Sequence, residues 1–261
     1  MKRLFAAAIV TGLLICPSAA FGQTAFARIW VDVDFGVAYP AEKEFTAATS
    51  FVRAASNTGE PSTFSTIYSL PAGATFGAGG GFMLNKKLGF GVNISGSSHE
   101  DFAELTARVP HPNVFNTYGT GSGPTDRELL RSELGIHIQV MFVALDTGKL
   151  RIRVFGGPSY LTVKQSMIDN FTWVQTVSFT APFTNTIVIA GNDAPVDVEA
   201  STWGVNVGGD VTYFFTKAVG VGGFVRYVGG SVDLDNVLDG TGTVKSKAGG
   251  VQLGGGLRLR F

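Results

Sequence analysis

Apolar residues in this chain recur at every second position, in segments of about ten. From Arg28 to Tyr39, Ile29, Val31, Val33, Phe35, Val37 and Tyr39 alternate with Trp30, Asp32, Asp34, Gly36 and Ala38. Neighbouring side chains on a strand point to opposite faces, so this spacing predicts a strand with one apolar and one polar side. The pattern returns seven times: Thr75 to Leu84, Leu88 to beyond His99, Leu130 to Phe142, Leu150 to Phe155, Thr202 to Tyr213, Val219 to Tyr227 and Val251 to Phe261. Pro158 lies in the path of the fifth strand and marks a bulge or a change of pairing, because proline has no N–H to give a ladder.

The connections alternate short and long. Asn85-Lys86-Lys87, Asp146-Thr147-Gly148 and Thr216-Lys217-Ala218 are three-residue turns, predicted to set Leu84 opposite Leu88, Leu145 opposite Lys149 and Phe215 opposite Val219. Residues 40–72, 110–127, 168–198 and about 236–245 read as larger loops. Three tight turns on one side, four large loops on the other and both ends on the tight side describe an all-β, eight-stranded antiparallel up-and-down transmembrane β-barrel.

Composition decides which face looks outward. Charged residues make up 15% of the chain, Gly numbers 35 and mean hydropathy is +0.24. The polar faces carry Gly, Ser, Asn and Thr with occasional charges, where a water-facing sheet would carry Lys and Glu. Such a face suits the cramped lumen of an eight-stranded barrel, and the apolar face then meets lipid. The opposite arrangement, a soluble lipocalin-like barrel with its apolar face inside, is the alternative. A girdle of outward aromatics is expected from Tyr39, Tyr160, Trp203 and Tyr227 on the loop side and from Tyr213 and Phe215, with Phe261, on the turn side. About 11 residues rising ~3.3 Å each at a tilt of ~40° span roughly 27 Å, matching an apolar band of ~25 Å.

Residues 1–22 read as a secretory leader: Lys2 and Arg3, an apolar run from Leu4 to Ile15, and Ala20-Phe21-Gly22 before the cut, leaving 23–261 as the barrel domain. The run is too short for a membrane-spanning helix. Cys16, the single cysteine, falls inside the leader, so disulfide and thiolate chemistry are not expected. With 20 basic and 20 acidic residues the chain has no electrostatic footprint for nucleic acid.

The closing strand carries a resemblance. Gly256, Leu259 and Phe261 match the Gly-x-x-hydrophobic-x-aromatic end of bacterial outer-membrane barrels, although Gly254 stands where a polar residue is usual. In pattern and topology the chain resembles the OmpA/OmpX/OmpW-type barrel superfamily. That resemblance implies the bacterial outer membrane, recognition of the closing strand by the outer-membrane insertion machinery, and contact with outer-membrane lipid and lipopolysaccharide. It further implies a structural or surface-interaction role without catalysis, with a narrow passive channel for small or hydrophobic solutes as the alternative. A lipid A-modifying enzyme is the third reading.

The inward charges are Asp32, Asp34, Glu133 and Asp210 against Arg131, Arg151, Arg153, Arg226, Arg258 and Arg260. Buried charges need partners, and closure of the barrel sets Asp32 and Asp34 beside Arg258 and Arg260. The same residues suit a plug or a polar conduit. His137 and Glu133 share the lumen side, ~13 Å apart and beyond a direct hydrogen bond. Ser97, Ser98, His99, Glu100 and Asp101 hold the ingredients of a hydrolase, but adjacent strand residues point apart. No metal-ligand cluster or nucleotide loop is spaced for use, so no cofactor or metal is expected. A surface ligand would be met by the loops 40–72, 110–127 and 168–198. The last contains Phe171, Trp173, Val177, Phe179, Phe183, Ile187 and Ile189 and is expected to prolong the fifth and sixth strands as a hairpin. Glu100, Asp101, Glu104, Asp193, Asp197 and Glu199 form an acidic loop-side rim able to hold cations that bridge lipopolysaccharide.

Overall fold

The computed structural model describes residues 27–53, 58–125, 127–192, 194–238, 240 and 242–261. The leader 1–22 and Asp193 lie outside them. Eight strands follow one another around a ring: β1 (Ile29–Pro40), β4 (Gly73–Met83), β5 (Leu88–Pro110), β7 (Leu129–Asp146), β8 (Leu150–Met167), β11 (Val196–Phe214), β12 (Val219–Asp235) and β13 (Thr243–Arg260). Each pairs antiparallel with its neighbour, and β1 pairs with β13 to close the ring. Closure removes the free edges that a sheet would otherwise expose.

Two of the three turns have the expected register. Leu84 N–H donates to the Leu88 carbonyl at 2.9 Å, and Phe215 N–H to that of Val219 at 3.0 Å. The third differs. Leu145 faces Ile152 rather than Lys149, because a register shift falls between Val143 and Leu145, and Gly148 at φ 83° reverses the chain. Ala144 is the extra residue of this bulge; it and Leu145 both point outward, so the apolar exterior continues. Pro158 causes no such shift. Pairs His137–Ser159 and Val140–Gly156 flank a gap in an unchanged register. There the Asn206 side-chain amide donates to the carbonyls of Gly157 and Pro158, at 2.9 and 3.4 Å, supplying bonds the ladder does not make.

The large loops contain more strand than their sequence shows. Within 40–72, β2 (Glu44–Val52) and β3 (Pro61–Ser69) pair antiparallel, and β3 pairs in turn with β5. The buried face of β3 is Ser62, Phe64, Thr66 and Tyr68, and its two hydroxyl residues conceal the alternation. Residues 118–124 form β6 (Tyr118–Pro124), which returns along β5. Within 168–198, β9 (Phe171–Val177) and β10 (Asn185–Asn192) pair, among the described residues, with each other alone, so they form a separate hairpin and not a prolongation of β8 and β11.

Above the ring these hairpins and the strand extensions enclose an apolar core that includes Phe45, Phe64, Tyr68, Leu105, Val109, Val163, Met167, Phe171, Ile187 and Leu234. The ring itself wears its apolar residues outside. Phe35, Phe76, Val92, Ile94, Ile138, Val140, Val207, Val211, Val225 and Leu253 are among the exposed residues of this belt. A continuous apolar girdle of this extent is far larger than the patches of soluble proteins. With its polar interior, it is the architecture of outer-membrane barrels and excludes the lipocalin arrangement.

Candidate functional site

The lumen is the first place to look for chemistry. Asp210 on β11 is its centre: Arg258 Nε and Nη2 bind one oxygen at 2.7 and 2.6 Å, while Arg153 Nε and Nη2 bind the other at 3.1 and 3.0 Å. Thr212 donates to the same carboxylate at 2.7 Å. Arg258 reaches on to Asp34 at 2.6 Å, and Arg153 lies 3.6 Å from Asp32. Arg226 binds the Gln252 oxygen at 3.0 and 2.5 Å and that of Asn93 more closely. Two guanidiniums shared by one carboxylate satisfy the rule that a buried ion must be multiply bonded to be tolerated.

Arg258 meets Asp34 as expected, but Arg260 joins neither Asp32 nor Asp34. Trp30 stands opposite it in the β1–β13 register, and its guanidinium bonds the carbonyls of Lys217 and Gly148 at 2.8 and 2.7 Å, over the Phe214 ring. Arg151 binds Asp146 at 2.6 Å, also at the turn end. Trp30 fills the lumen there; a side chain at Gly81 or Gly91 would collide with its ring. A cavity of about 20 Å³ lies among Asp32, Asn93, Gln139, Arg226 and Arg258, and another of about 10 Å³ lies nearer the turns. The larger has room for about one water.

Higher in the lumen, His137 is fully buried, with Ser95 Oγ 2.8 Å from Nε2 and Ser159 Oγ 2.8 Å from Nδ1. Glu133 turns away from it, accepting from Arg131 at 2.8 Å and from Gly249 N–H at 2.8 Å. His99 is buried with Nδ1 3.0 Å from the Pro71 carbonyl, and Ser98 faces out on the opposite side of the strand. No serine, histidine and carboxylate come together at an opening, among the described residues.

At the junction of lumen and upper core, Asp101 is 3% exposed and hydrogen-bonded by the Gln165 amide, not part of a solvated rim. Burial pushes its carboxyl up to about 6, against the pull of Gln165 and Arg131. Burial likewise pushes the Tyr68 hydroxyl up to about 12. Of the other rim acids, Glu100, Glu104 and Glu199 are exposed and Asp197 pairs with Lys164 at 2.8 Å.

The second place is the outer surface. Tyr39, Tyr160, Trp203, Tyr213, Phe215 and Tyr227 all point outward, with Tyr160 against Trp203 and Tyr213 against Phe215 at 5.3 and 5.5 Å. Leu259 pairs with Val31 and Val219, Gly256 lies against Val33 where a side chain would not fit, and Phe261 is exposed while its backbone exchanges hydrogen bonds with Ile29 at 2.8 and 3.1 Å.

The crystal structure of Neisserial surface protein A resembles this chain with a TM-score of 0.39 and 13% identity, over 89% of this chain and 97% of that one. Ail, the attachment invasion locus protein of Yersinia pestis, solved with the heparin analogue sucrose octasulfate, gives 0.35 and 9%, over 90% of this chain and 100% of that one. No protein-family model and no curated protein matches the sequence. The fold therefore rests on the strand pairing itself.

Upper-surface residues absent from the sequence-based sites include Phe115, Val174 and Val188, exposed at 64%, 56% and 58%. The signal that could have found them is a lack of charge. Residues 110–124 and 171–192 hold no Asp, Glu, Lys or Arg.

Proposed function

We propose that the protein is a non-catalytic barrel of the bacterial outer membrane that holds an interaction head above the bilayer. The observation that carries this reading is a lumen crossed by its own ion pairs, the cavity among them having room for about one water, beneath an apolar core. A solute path is not open there, and His137 is sealed from any substrate. On this reading the leader 1–22 directs export and the Gly256, Leu259 and Phe261 end is offered to the insertion machinery. Belt and rim then contact outer-membrane lipid and lipopolysaccharide, and the surface ligand is met by the loops.

The test is twofold. Mature protein in planar bilayers should give no unit conductance, and cells displaying it should lose adherence when β2–β3, β6 and β9–β10 are replaced by short turns. Conductance steps altered by Arg153→Ala or Arg258→Ala would favour the channel instead. Adherence unchanged by loss of the head would contradict the interaction role.

A further inference from the structure

The part of the head furthest from the barrel has unusual chemistry. In a chain that is 15% charged, residues 110–124 and 171–192 carry no Asp, Glu, Lys or Arg. The fold brings these two stretches into one lobe. Asn185 donates to the Val109 carbonyl at 2.9 Å, and Gln175 donates to the Pro110 carbonyl and to Asn185 Oδ1, both at 3.0 Å. His111, buried between the two tips, lies 3.1 Å from the Ser178 carbonyl with its ring edge-on to Phe179 and Phe183. Gly119 and Gly121 let β10 lie directly on β6; a Cβ on Gly121 would come 2.5 Å from the Ile187 carbonyl. The tips are therefore held in place.

What they hold outward is apolar and neutral. Phe115, Phe179 and Phe183 are exposed at 64%, 60% and 45%, and every residue from Phe179 to Thr184 is exposed. Behind them the outer face of the β9–β10 hairpin shows Val174 and Val188 between Thr172, Thr176 and Thr186. Phenylalanine rings among hydroxyl and amide groups match the interfacial zone of a bilayer, where rings reach the acyl chains and polar neighbours meet the headgroups. A protein partner is gripped by an apolar centre within a polar rim whose charges fix register. Here three charges touch the lobe, and each is engaged with it: Arg53 bonds Gln175 at 2.9 Å over the Trp173 ring, Arg108 covers the Tyr118 ring, and the buried Glu60 carboxylate accepts from Asn116 N–H and the Tyr118 hydroxyl at 3.0 and 3.1 Å. The tip residues 111–117 and 178–184 themselves carry no charge to fix a register, which suits a fluid lipid surface. The protein's own bilayer is out of reach: from Ser98, at the top of the belt, β5 continues to Pro110, a rise of about 30 Å at ~3.3 Å per tilted residue. Two copies in one membrane point the same way and do not bring their tips together.

We propose that the lobe formed by Phe115, Phe179 and Phe183 inserts into an uncharged lipid surface apposed to the cell, of phosphatidylcholine type. This rests on the reading of the head as an interaction platform and names its partner.

The experiment uses the full mature protein in nanodiscs, mixed with phosphatidylcholine vesicles and separated by flotation. Wild type should float with the vesicles, with no loss at high salt, because ion pairs contribute nothing. The variant F115S/F179S/F183S, checked for heat-modifiable migration, should bind at least about tenfold more weakly, since each ring loses its transfer into lipid. F115W/F179W/F183W should retain binding, with tryptophan emission shifted to the blue on contact. Absence of co-flotation would overturn the proposal, as would binding indifferent to the serine variant or binding that needs anionic lipid and vanishes in salt. Tip-dependent pairing of nanodiscs without vesicles would assign the lobe to a second copy and overturn it too. If flotation fails while adherence still depends on the head, only the lipid assignment falls. If removing the head leaves adherence intact, the underlying reading falls.

Discussion

One strand, β5, lives in two environments, and its two halves are built in opposite ways. Below Ser98 its outward residues are Phe90, Val92 and Ile94 and its inward ones Asn93, Ser95 and Ser97. Above Asp101 its inward residues are Ala103, Leu105, Ala107 and Val109, while Glu104 and Arg108 face out. β8 changes in the same way, from inward Arg151 and Arg153 to inward Leu161, Val163 and Met167. The strand's geometry is continuous through the change; what differs is the medium outside. Where hydrocarbon lies outside, polar groups collect within and must satisfy one another. Where water lies outside, the usual apolar interior returns.

The largest effect should come from leaving the lower interior unbalanced. Asp210→Ala leaves Arg153 and Arg258 without their shared carboxylate, and should lower stability by about 3–5 kcal/mol in urea unfolding of the folded barrel in lipid. Next, Ile138→Arg on the belt should cost about 2–4 kcal/mol in the same assay. Thr176→Arg, on the exposed face of the head, should stay within about 0.5 kcal/mol. Equal costs at the two sites would erase the distinction between the halves. Gly121→Val pushes a side chain into the β10 backbone and should cost about 1–3 kcal/mol, seen as faster hydrogen exchange in 185–192 with the barrel unaffected.

A more modest effect than those of the lumen and belt is a pH dependence at the boundary. Burial raises the Asp101 carboxyl to about 6 from its ordinary 3.8, so the folded head holds that proton more tightly than the unfolded chain. The cost of a buried anion is then present above about pH 6 and is relieved as pH falls toward about 4. Acidification through that window should stabilise the head by roughly 1–2 kcal/mol. Asp101→Asn should flatten this part of the pH profile, read by thermal unfolding.

The lower half was legible in the sequence because alternation in β1, β7, β11 and β13 runs unbroken between an apolar and a polar face. Even there the partners were not. Arg260 was expected with Arg258 beside Asp32 and Asp34, but Trp30 stands opposite it, and the choice depends on side-chain volume that periodicity does not register. The bulge at Ala144 moved Leu145 without disturbing the pattern, since both residues are apolar. The upper half was harder. In β3 the buried face includes Ser62 and Thr66, and in β6 alternate positions are Gly119, Gly121 and Gly123, chosen for thinness against β10 and not for hydrophobicity. Asp101 looked like a rim acid because its neighbours Glu100 and Glu104 face water.

The chain has three tryptophans, and the fold puts one in each setting: Trp30 inside the lumen at 3% exposure, Trp203 on the belt at 69%, and Trp173 packed on Phe64 in the head. Single-tryptophan versions, with the other two changed to Phe, can be reconstituted in lipids with brominated acyl chains, which quench only rings in contact with hydrocarbon. Trp203 should lose most of its fluorescence while Trp30 and Trp173 keep theirs. Quenching of Trp30 with Trp203 left bright would mean that the apolar face does not meet the bilayer.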